Sequence, residues 1–192
     1  MTLAIVLVVA YVLGSFPTSY IVVHHLTGRD IRDMGDGNPG MMNVWDNVGF
    51  GAAFVVGLGD AGKGMAAVGI AYLMGAEIEG AVLAGLVAVL GHDYSIFLRL
   101  QGGNGMATST GAILALTPLA TGPAIGAAIA LWLLLGSKRL GGMVGMMIVP
   151  VLAYALDLGP TAITGVILLE SVAALKIIRF EGFVSARSRL DQ

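Results

Sequence analysis

The sequence predicts an all-α integral membrane protein with about seven transmembrane helices, forming a single domain over residues 1–192. Three observations support this prediction. Only 11% of the residues are charged and 57% are hydrophobic, whereas soluble domains carry about 25% charged residues. The apolar residues fall in runs near the 20 or so residues that a spanning helix needs. Glycine accounts for 29 of 192 residues, and small residues let membrane helices pack closely.

The apolar runs divide the chain in order. The first run follows no basic residue and shows no cleavage pattern, so it is predicted to be a retained span that is kinked at Pro17. A polar loop over residues 24–47 comes next. The predicted spans cover residues 2–23, 48–74, 79–98, 141–156 and 161–177, with a further apolar region over 106–136. A short tail of mixed charge begins at Arg179.

The region 106–136 is too long for one span and too short for two full ones, and the placement of charge decides between these. If it forms two short helices, all ten Lys and Arg residues except Lys63 fall on one side of the membrane. The positive-inside rule then predicts seven spans, with the N-terminus outside and the C-terminus in the cytoplasm. On this topology the glycine-bearing loops near 35–40, 102–105 and 136–142 are cytoplasmic, which favours a site that opens there.

The turn Gly102-Gly103-Asn104-Gly105 is the most distinctive polar stretch. Glycine tolerates positive φ, so the backbone N–H groups of such a turn can converge on a ligand. A helix that begins directly after the turn adds free N–H groups and a positive dipole end. The turn therefore predicts an anion pocket at a helix terminus. His92, which precedes it, is either a general base or phosphate ligand, or a residue that hydrogen-bonds at the helix end.

Charged residues within the apolar runs are further candidates. Asp60 and Lys63 share a helix face, and they form either a neutralised structural ion pair or part of a cavity wall. Glu170 lies well inside the last span, so it is expected to face the bundle interior and to find a partner there. The candidate partners are Lys63 and the first-span residues Ser15, Thr18 and Ser19.

Metal chemistry is not favoured by the sequence. His24 and His25 are adjacent, so they point to different faces of a helix, which argues against a shared metal site. The chain has no cysteine, which excludes disulfides and thiolate ligands.

Several motifs occur in order along most of the chain. They are Gly14-Ser15-Phe16-Pro17-Thr18-Ser19-Tyr20, Gly35-x-Gly37-Asn38-Pro39-Gly40-x-x-Asn43-Val44, Asp60-x-x-Lys63-Gly64, Gly91-His92-x-Tyr94-x-x-Phe97-Leu98 and Gly102-Gly103-x-Gly105-x-Ala107-Thr108. This pattern resembles the bacterial acyl-phosphate:glycerol-3-phosphate acyltransferases, small seven-span enzymes of the bacterial inner membrane.

The resemblance implies a reaction and a set of partners. Cytoplasmic glycine-rich loops are expected to bind acyl phosphate and glycerol 3-phosphate, and direct transfer of the acyl group gives lysophosphatidic acid and phosphate. The resemblance implies no metal and no organic cofactor. Membrane lipid is expected as a partner, and nucleic acid is not. His92 is the candidate catalytic residue. The matching substrate-binding positions are Gly35, Gly37, Asn38, Gly40, Asn43, Lys63, Gly102, Gly103, Asn104, Gly105 and Thr108.

The chain departs from the family's pattern at positions that carry polar or basic groups there. The altered positions are Asp36 (serine in the family), Met42 (threonine), Asp46 (arginine), Asn104 (lysine), Gly141 (serine) and Phe180, in a segment where the family has a histidine and an asparagine. Loss of two basic groups and gain of two acidic ones disfavours a phosphate, since a like-charge contact at 4 Å costs about 1 kcal/mol even in water.

These departures leave the acceptor and the activity open. The first hypothesis is an acyltransferase that uses glycerol 3-phosphate or an altered acceptor. The alternative is a non-catalytic relative that binds lipid or a partner protein. Small-solute transport is disfavoured because no inverted repeat is evident.

Overall fold

The computed structural model describes the backbone of residues 2–190 and the side chains of residues 2–138 and 140–179. Within these residues the fold is entirely helical. The α-helices are α1 (Thr2–Ser15), α2 (Thr18–Thr27), α3 (Met41–Asn47), α4 (Phe50–Leu73), α5 (Ile78–Asp93), α6 (Met106–Leu116), α7 (Pro118–Leu135), α8 (Lys138–Ala155) and α9 (Pro160–Leu190). Single 3-10 turns lie at Ile31–Asp33 and Ile96–Leu98.

Apolar helices long enough to cross a membrane account for most of the described chain. There are five of them, and two shorter apolar helices accompany them. The long ones are Thr2–Thr27, Phe50–Leu73, Ile78–Leu98, Pro118–Leu135 and Pro160–Arg179, and the short ones are Met106–Leu116 and Leu140–Ala155. The predicted apolar segments are therefore all present as helices.

The region 106–136 forms two helices, as predicted. The division falls at Thr117, which has extended φ of −136°, because a residue before proline is disfavoured in the helical conformation. The Thr117 hydroxyl donates to the Ile113 carbonyl at 3.0 Å, which satisfies one of the carbonyls at the end of α6.

The first span is interrupted, and not merely kinked, at Phe16 and Pro17. Helix α1 ends at Ser15 and α2 begins at Thr18. Proline lacks the N–H that would continue the helical ladder, so the break frees backbone carbonyls within the membrane-spanning segment. One of them, the Phe16 carbonyl, accepts a hydrogen bond from Lys63 Nζ at 3.1 Å.

One sequence-based boundary is wrong. The predicted loop over 24–47 contains α3, which is too short to show a clear helical period but buries Val44 in a small core with Val23, Ile31, Ala53 and Val56. The last span, predicted over 161–177, is found at Pro160–Arg179, within a helix that continues to Leu190. The rising charge there ends the apolar run without ending the helix.

Glycines bring the helices around the first span into direct backbone contact. A Cβ at Gly14 of α1 would overlap the Ala88 carbonyl of α5, and a Cβ at Gly91 of α5 would overlap the Tyr11 carbonyl of α1. The α4–α6 pair repeats the arrangement, with Gly64 against the Thr108 carbonyl and Gly111 against the Ala61 carbonyl. Such close approach supplies the van der Waals packing that holds membrane helices together.

Candidate functional site

A narrow polar cleft lies at the break between α1 and α2, next to both glycine loops. Its volume is about 10 Å³, which is near the minimum that one water molecule needs. The lining residues are Ser15, Phe16, Pro17, Thr18, Ser19, Pro39, Asp60, Lys63, His92, Ser95, Leu98 and Gly103. The cleft thus joins α1, α2, α4 and α5 to the two loops that the sequence singles out.

Asp60, Lys63 and His92 form the charged wall of this cleft. They are 1%, 8% and 6% exposed. Lys63 Nζ lies 2.9 Å from Asp60 Oδ1, and His92 Nδ1 lies 3.7 Å from the same oxygen. Both interpretations of Asp60 and Lys63 therefore apply, because the two residues form a buried ion pair and also line the cavity. The pairing offsets much of the cost of placing charge inside the membrane.

The other ring nitrogen of His92 faces the glycine turn. A Cβ at Gly103 would overlap His92 Nε2, and a Cβ at Gly102 would overlap the His92 carbonyl oxygen. The Gly102 N–H donates to the Asp93 carbonyl at 3.2 Å. Of the three glycines only Gly105 has positive φ, +69°. The expectation that all three glycines are needed for their positive φ is therefore wrong. Gly102 and Gly103 are needed because the turn packs closely against the end of α5.

Asn43 organises the first glycine loop. It is 3% exposed, and its Nδ2 donates to the carbonyls of Met34 at 2.9 Å and Asn38 at 3.0 Å. Its Oδ1 accepts from Asn47 Nδ2 at 2.8 Å and from the Asp36 N–H at 3.4 Å. A side chain so fully committed to the backbone holds the loop in shape, which is a different role from the direct substrate contact implied for Asn43.

Glycine is needed at two positions of the same loop. Gly35 and Gly37 have φ of +56° and +77°, which only glycine adopts without cost. Gly40 ends the loop at the start of α3, where its N–H donates to the Asn38 carbonyl at 2.8 Å. Asn38 itself is half-buried, and its Oδ1 has no hydrogen-bond partner among the described residues.

Arg32 joins the two loops, and the motif analysis did not select it. Its Nη1 donates to the Leu98 carbonyl at 3.1 Å, while its Nη2 contacts Asp30 Oδ2 at 2.6 Å. The Arg32 guanidinium holds the pKa of Asp30 below its usual value, and the Asp30 carboxylate in turn raises the pKa of Arg32. The sequence signal was available as an Asp-x-Arg pair in a polar loop, but nothing in it indicated the contact with residue 98.

The acidic substitutions lie outside the cleft. Asp46 is exposed on α3 and pairs with Lys138 at 2.5 Å. Lys138 Nζ also lies 4.3 Å from the ring centroid of Trp45. Asp36 is exposed, and its Oδ1 accepts from the Asn38 N–H at 3.0 Å. The expected repulsion of a phosphate by Asp46 is therefore reduced, because Lys138 neutralises its charge.

The remaining altered positions are spread over several helices. Asn104 is half-buried in the turn and Met42 half-buried on α3. Gly141 is directed at α7, where a Cβ would lie 2.5 Å from the Ala128 carbonyl, whereas Gly142 faces Met106 of α6. The side chain of Phe180 lies outside the described residues. Of Asp36, Asp46, His92 and Asn104, only His92 lines the cleft.

Thr108 and Glu170 each bury a side-chain oxygen that has no hydrogen-bond partner among the described residues. Thr108 is fully buried on α6, and its hydroxyl has no partner among the described residues. Glu170 does not reach Lys63 or the first span. It lines an apolar cavity between α6, α7, α8 and α9, and its Oε1 has no hydrogen-bond partner in the described part of the chain. The prediction of a partner for Glu170 is wrong because Asp60 and the Phe16 carbonyl already occupy Lys63.

The apolar helices and the buried polar cleft define a multi-pass integral membrane protein. The sequence profile described as glycerol-3-phosphate acyltransferase matches residues 4–185, and the chain belongs to this family. A glycerol-3-phosphate acyltransferase of Desulforudis audaxviator is 40% identical over 157 residues, covering 80% of this chain and 78% of that protein.

Other relatives match over a shorter length. Glycerol-3-phosphate acyltransferase 1 of Dehalococcoides mccartyi is 45% identical over 114 residues, or 59% of this chain, and the alignment spans 55% of that protein. Glycerol-3-phosphate acyltransferase 2 of Moorella thermoacetica is 47% identical over 114 residues, with 59% of this chain and 58% of that protein covered. The chain thus spans little more than half the length of these two relatives.

The fold is that of a solved structure. The crystal structure of PlsY (YgiH), an integral membrane glycerol 3-phosphate acyltransferase in its glycerol 3-phosphate form, superposes with a TM-score of 0.84. The match covers 97% of this chain and 94% of that one, at 23% identity. The predicted family and the predicted all-helical membrane fold are both confirmed.

Proposed function

We propose that this protein transfers an acyl group from acyl phosphate to glycerol 3-phosphate. The observation that carries the proposal is the position of His92, whose Nε2 faces Gly103 while Nδ1 lies 3.7 Å from Asp60 Oδ1. A carboxylate on one ring nitrogen favours the tautomer that leaves the other nitrogen free to accept a proton. The family membership and the substrate names of its relatives supply the chemistry of the two substrates.

The reaction assigns a role to each part of the cleft. A hydroxyl oxygen of glycerol 3-phosphate attacks the acyl carbonyl carbon, and His92 Nε2 takes the hydroxyl proton as general base. The bond from the carbonyl carbon to the phosphate oxygen breaks, and its electron pair leaves with the phosphate. His92 then returns the proton to phosphate, so the products are lysophosphatidic acid and inorganic phosphate.

The glycine turn is proposed to hold the phosphate of the donor. Backbone N–H groups of the turn and of the first turn of α6 are suited to an anion because they lie at a helix N-terminus. Residues Gly103, Asn104 and Gly105 form this cradle, and Lys63, paired with Asp60, lines the same cleft. The first loop, with Gly35, Gly37, Asn38 and Gly40, is proposed to hold the acceptor.

The substituted positions favour a second candidate, an altered acceptor. Asn104 stands where the family has lysine, and Asp36 adds a carboxylate to the acceptor loop. Both changes weaken binding of a doubly negative phosphate. An uncharged alcohol acceptor would not be repelled in this way. If the protein uses neither glycerol 3-phosphate nor an uncharged alcohol as acceptor, it is the non-catalytic relative.

The direct test uses purified protein in lipid nanodiscs with radiolabelled palmitoyl phosphate. We expect lysophosphatidic acid to form when glycerol 3-phosphate is added, and we expect Gly103→Val to abolish its formation. Gly126→Ala is the matched control, since a Cβ at Gly126 of α7 meets no atom within 4 Å. Consumption of the donor with glycerol but not with glycerol 3-phosphate would establish the altered acceptor. No consumption with any acceptor would exclude the enzyme.

We also propose that the N-terminus lies outside and that the cleft opens to the cytoplasm of a bacterial cell. The support is the concentration of Lys and Arg in the loops after α2 and α5, at the start of α8 and in the C-terminal segment. The chain has no cysteine, so single-cysteine variants report cleanly. A membrane-impermeant maleimide applied to intact spheroplasts should label Ala76→Cys and spare Ser137→Cys, and the reverse result would invert the topology.

A further inference from the structure

The cavity that contains Glu170 is separate from the polar cleft and far larger. Its volume is about 190 Å³, an order of magnitude more than the 10–15 Å³ or so that one water molecule requires. It lies between α6, α7, α8 and α9. The walls are almost entirely apolar, with residues such as Ile113, Ile125 and Val149. A space of this size and composition suits an aliphatic chain.

Three polar side chains interrupt the apolar walls, and within the described part of the chain two of them are hydrogen-bonded and one has no partner. The Thr110 hydroxyl donates to the Met106 carbonyl at 2.9 Å, and the Thr121 hydroxyl donates to the Thr117 carbonyl at 2.8 Å. Glu170 Oε1 is buried without a hydrogen-bond partner among the described residues. An unpaired carboxyl group inside a membrane bundle is costly, so a ligand that hydrogen-bonds it would gain both affinity and selectivity.

The cavity adjoins the proposed donor site. Met106, the first residue of α6, lines it and directly follows the turn proposed to hold the donor phosphate. The Ser109 hydroxyl donates to the Leu169 carbonyl at 3.3 Å, which places Glu170 level with the first turn of α6. A chain that enters from the turn therefore meets Glu170 within its first few carbon atoms.

We propose that this cavity binds the acyl chain of a hydroxylated donor, and that Glu170 hydrogen-bonds a hydroxyl group near the carboxyl end of that chain. The inference rests on the proposed acyl transfer. A hydroxyl group is the matching chemistry because it both donates and accepts, so it pairs with a carboxylate and equally with a carboxylic acid. An unsubstituted chain leaves Glu170 unpaired, and sites built around a polar contact reject ligands that lack it.

The test measures binding, so that it does not depend on turnover. The protein in nanodiscs is photolabelled with a diazirine derivative of palmitate, and the labelled peptides are mapped by mass spectrometry. Unlabelled palmitate, β-hydroxypalmitate and ω-hydroxypalmitate then compete. We expect label on α6 to α9, and we expect β-hydroxypalmitate to compete at a concentration about 10-fold or more below the other two.

Substitutions then connect the preference to one carboxyl group. Glu170→Leu is expected to abolish the preference for the β-hydroxyl, and Glu170→Gln, which keeps a donor and an acceptor, to retain part of it. Met146→Trp, which fills the cavity from α8, should remove the label altogether. Equal competition by the three acids, a preference that survives Glu170→Leu, or label confined to other helices would each overturn the inference.

The two proposals fail separately. Turnover of palmitoyl phosphate with no preference for the hydroxylated acid would retain the acyltransferase and overturn the role of Glu170. A Glu170-dependent preference in a protein that consumes no acyl phosphate would overturn the proposed reaction and leave a hydroxyacyl-binding protein.

Discussion

The helices around the first span and helix α7 differ in what their glycines contact. Gly14, Gly64, Gly91 and Gly111, in α1, α4, α5 and α6, lie against carbonyl oxygens of neighbouring helices, and the polar cleft measures about 10 Å³. In α7, Gly122 and Gly126 would meet no atom if they carried a Cβ. The space near α7 and α8 is about 190 Å³. The first region fixes polar groups in place, and the second leaves room for a ligand.

The largest effect on activity is expected from a substitution in the polar cleft. His92→Gln should lower kcat by about 10²–10⁴-fold, the usual contribution of a general base. His25→Gln, on an exposed residue of α2, serves as the control and should leave kcat unchanged. The measurement compares the rates of lysophosphatidic acid formation by the two variants and the parent protein in nanodiscs. A His92→Gln protein with the parent rate would remove His92 from the mechanism.

Substitutions at two glycines of α4, one packed against α6 and one not, test the role of close helix packing. Gly64→Ala should destabilise the fold by about 1–3 kcal/mol because the new Cβ overpacks against α6. Gly62→Ala, two residues away, meets no atom within 4 Å and should stabilise α4 by about 0.5–1 kcal/mol. Unfolding in mixed detergent measures both changes. Equal effects of the two substitutions would show that α4 and α6 are not in close contact.

An ion pair between α3 and α8 is expected to have a smaller effect on stability. Asp46 on α3 and Lys138 on α8 are partly exposed, so their coupling should be about 0.2–1 kcal/mol and should fall with added salt. The double-mutant cycle of Asp46→Asn and Lys138→Met measures it. A coupling energy that is insensitive to salt would mean that the pair is shielded from solvent and contributes more to the contact between α3 and α8.

The smallest effect concerns the ion pair between Asp30 and Arg32. Arg32 lowers the pKa of Asp30 below its ordinary value of 3.8, so the folded state favours the ionised carboxylate. Stability from this pair is fully present above that ordinary value and is lost as pH falls through the folded-state pKa. Asp30→Asn should flatten the acid end of the stability profile. A profile that is unchanged by the substitution would show that other carboxylates dominate it.

Particular residues show how far sequence reasoning extended. The family motifs selected His92 and Lys63 as candidates, and only the structure shows that they line one cleft together with Asp60. Glu170 was assigned the wrong neighbours, since sequence indicates depth in the membrane but not the face of the bundle. Arg32 was missed because its partner lies 66 residues away.

The sequence by itself determined the membrane class, the positions of the apolar helices and the family. These follow from local hydropathy, from proline at the helix breaks and from motifs that need no neighbour to be recognised. Tertiary structure alone decided which glycines serve close approach, that Lys138 neutralises Asp46, and that Glu170 faces an apolar cavity. Those outcomes depend on how each helix is rotated about its axis, and packing against distant segments sets that rotation.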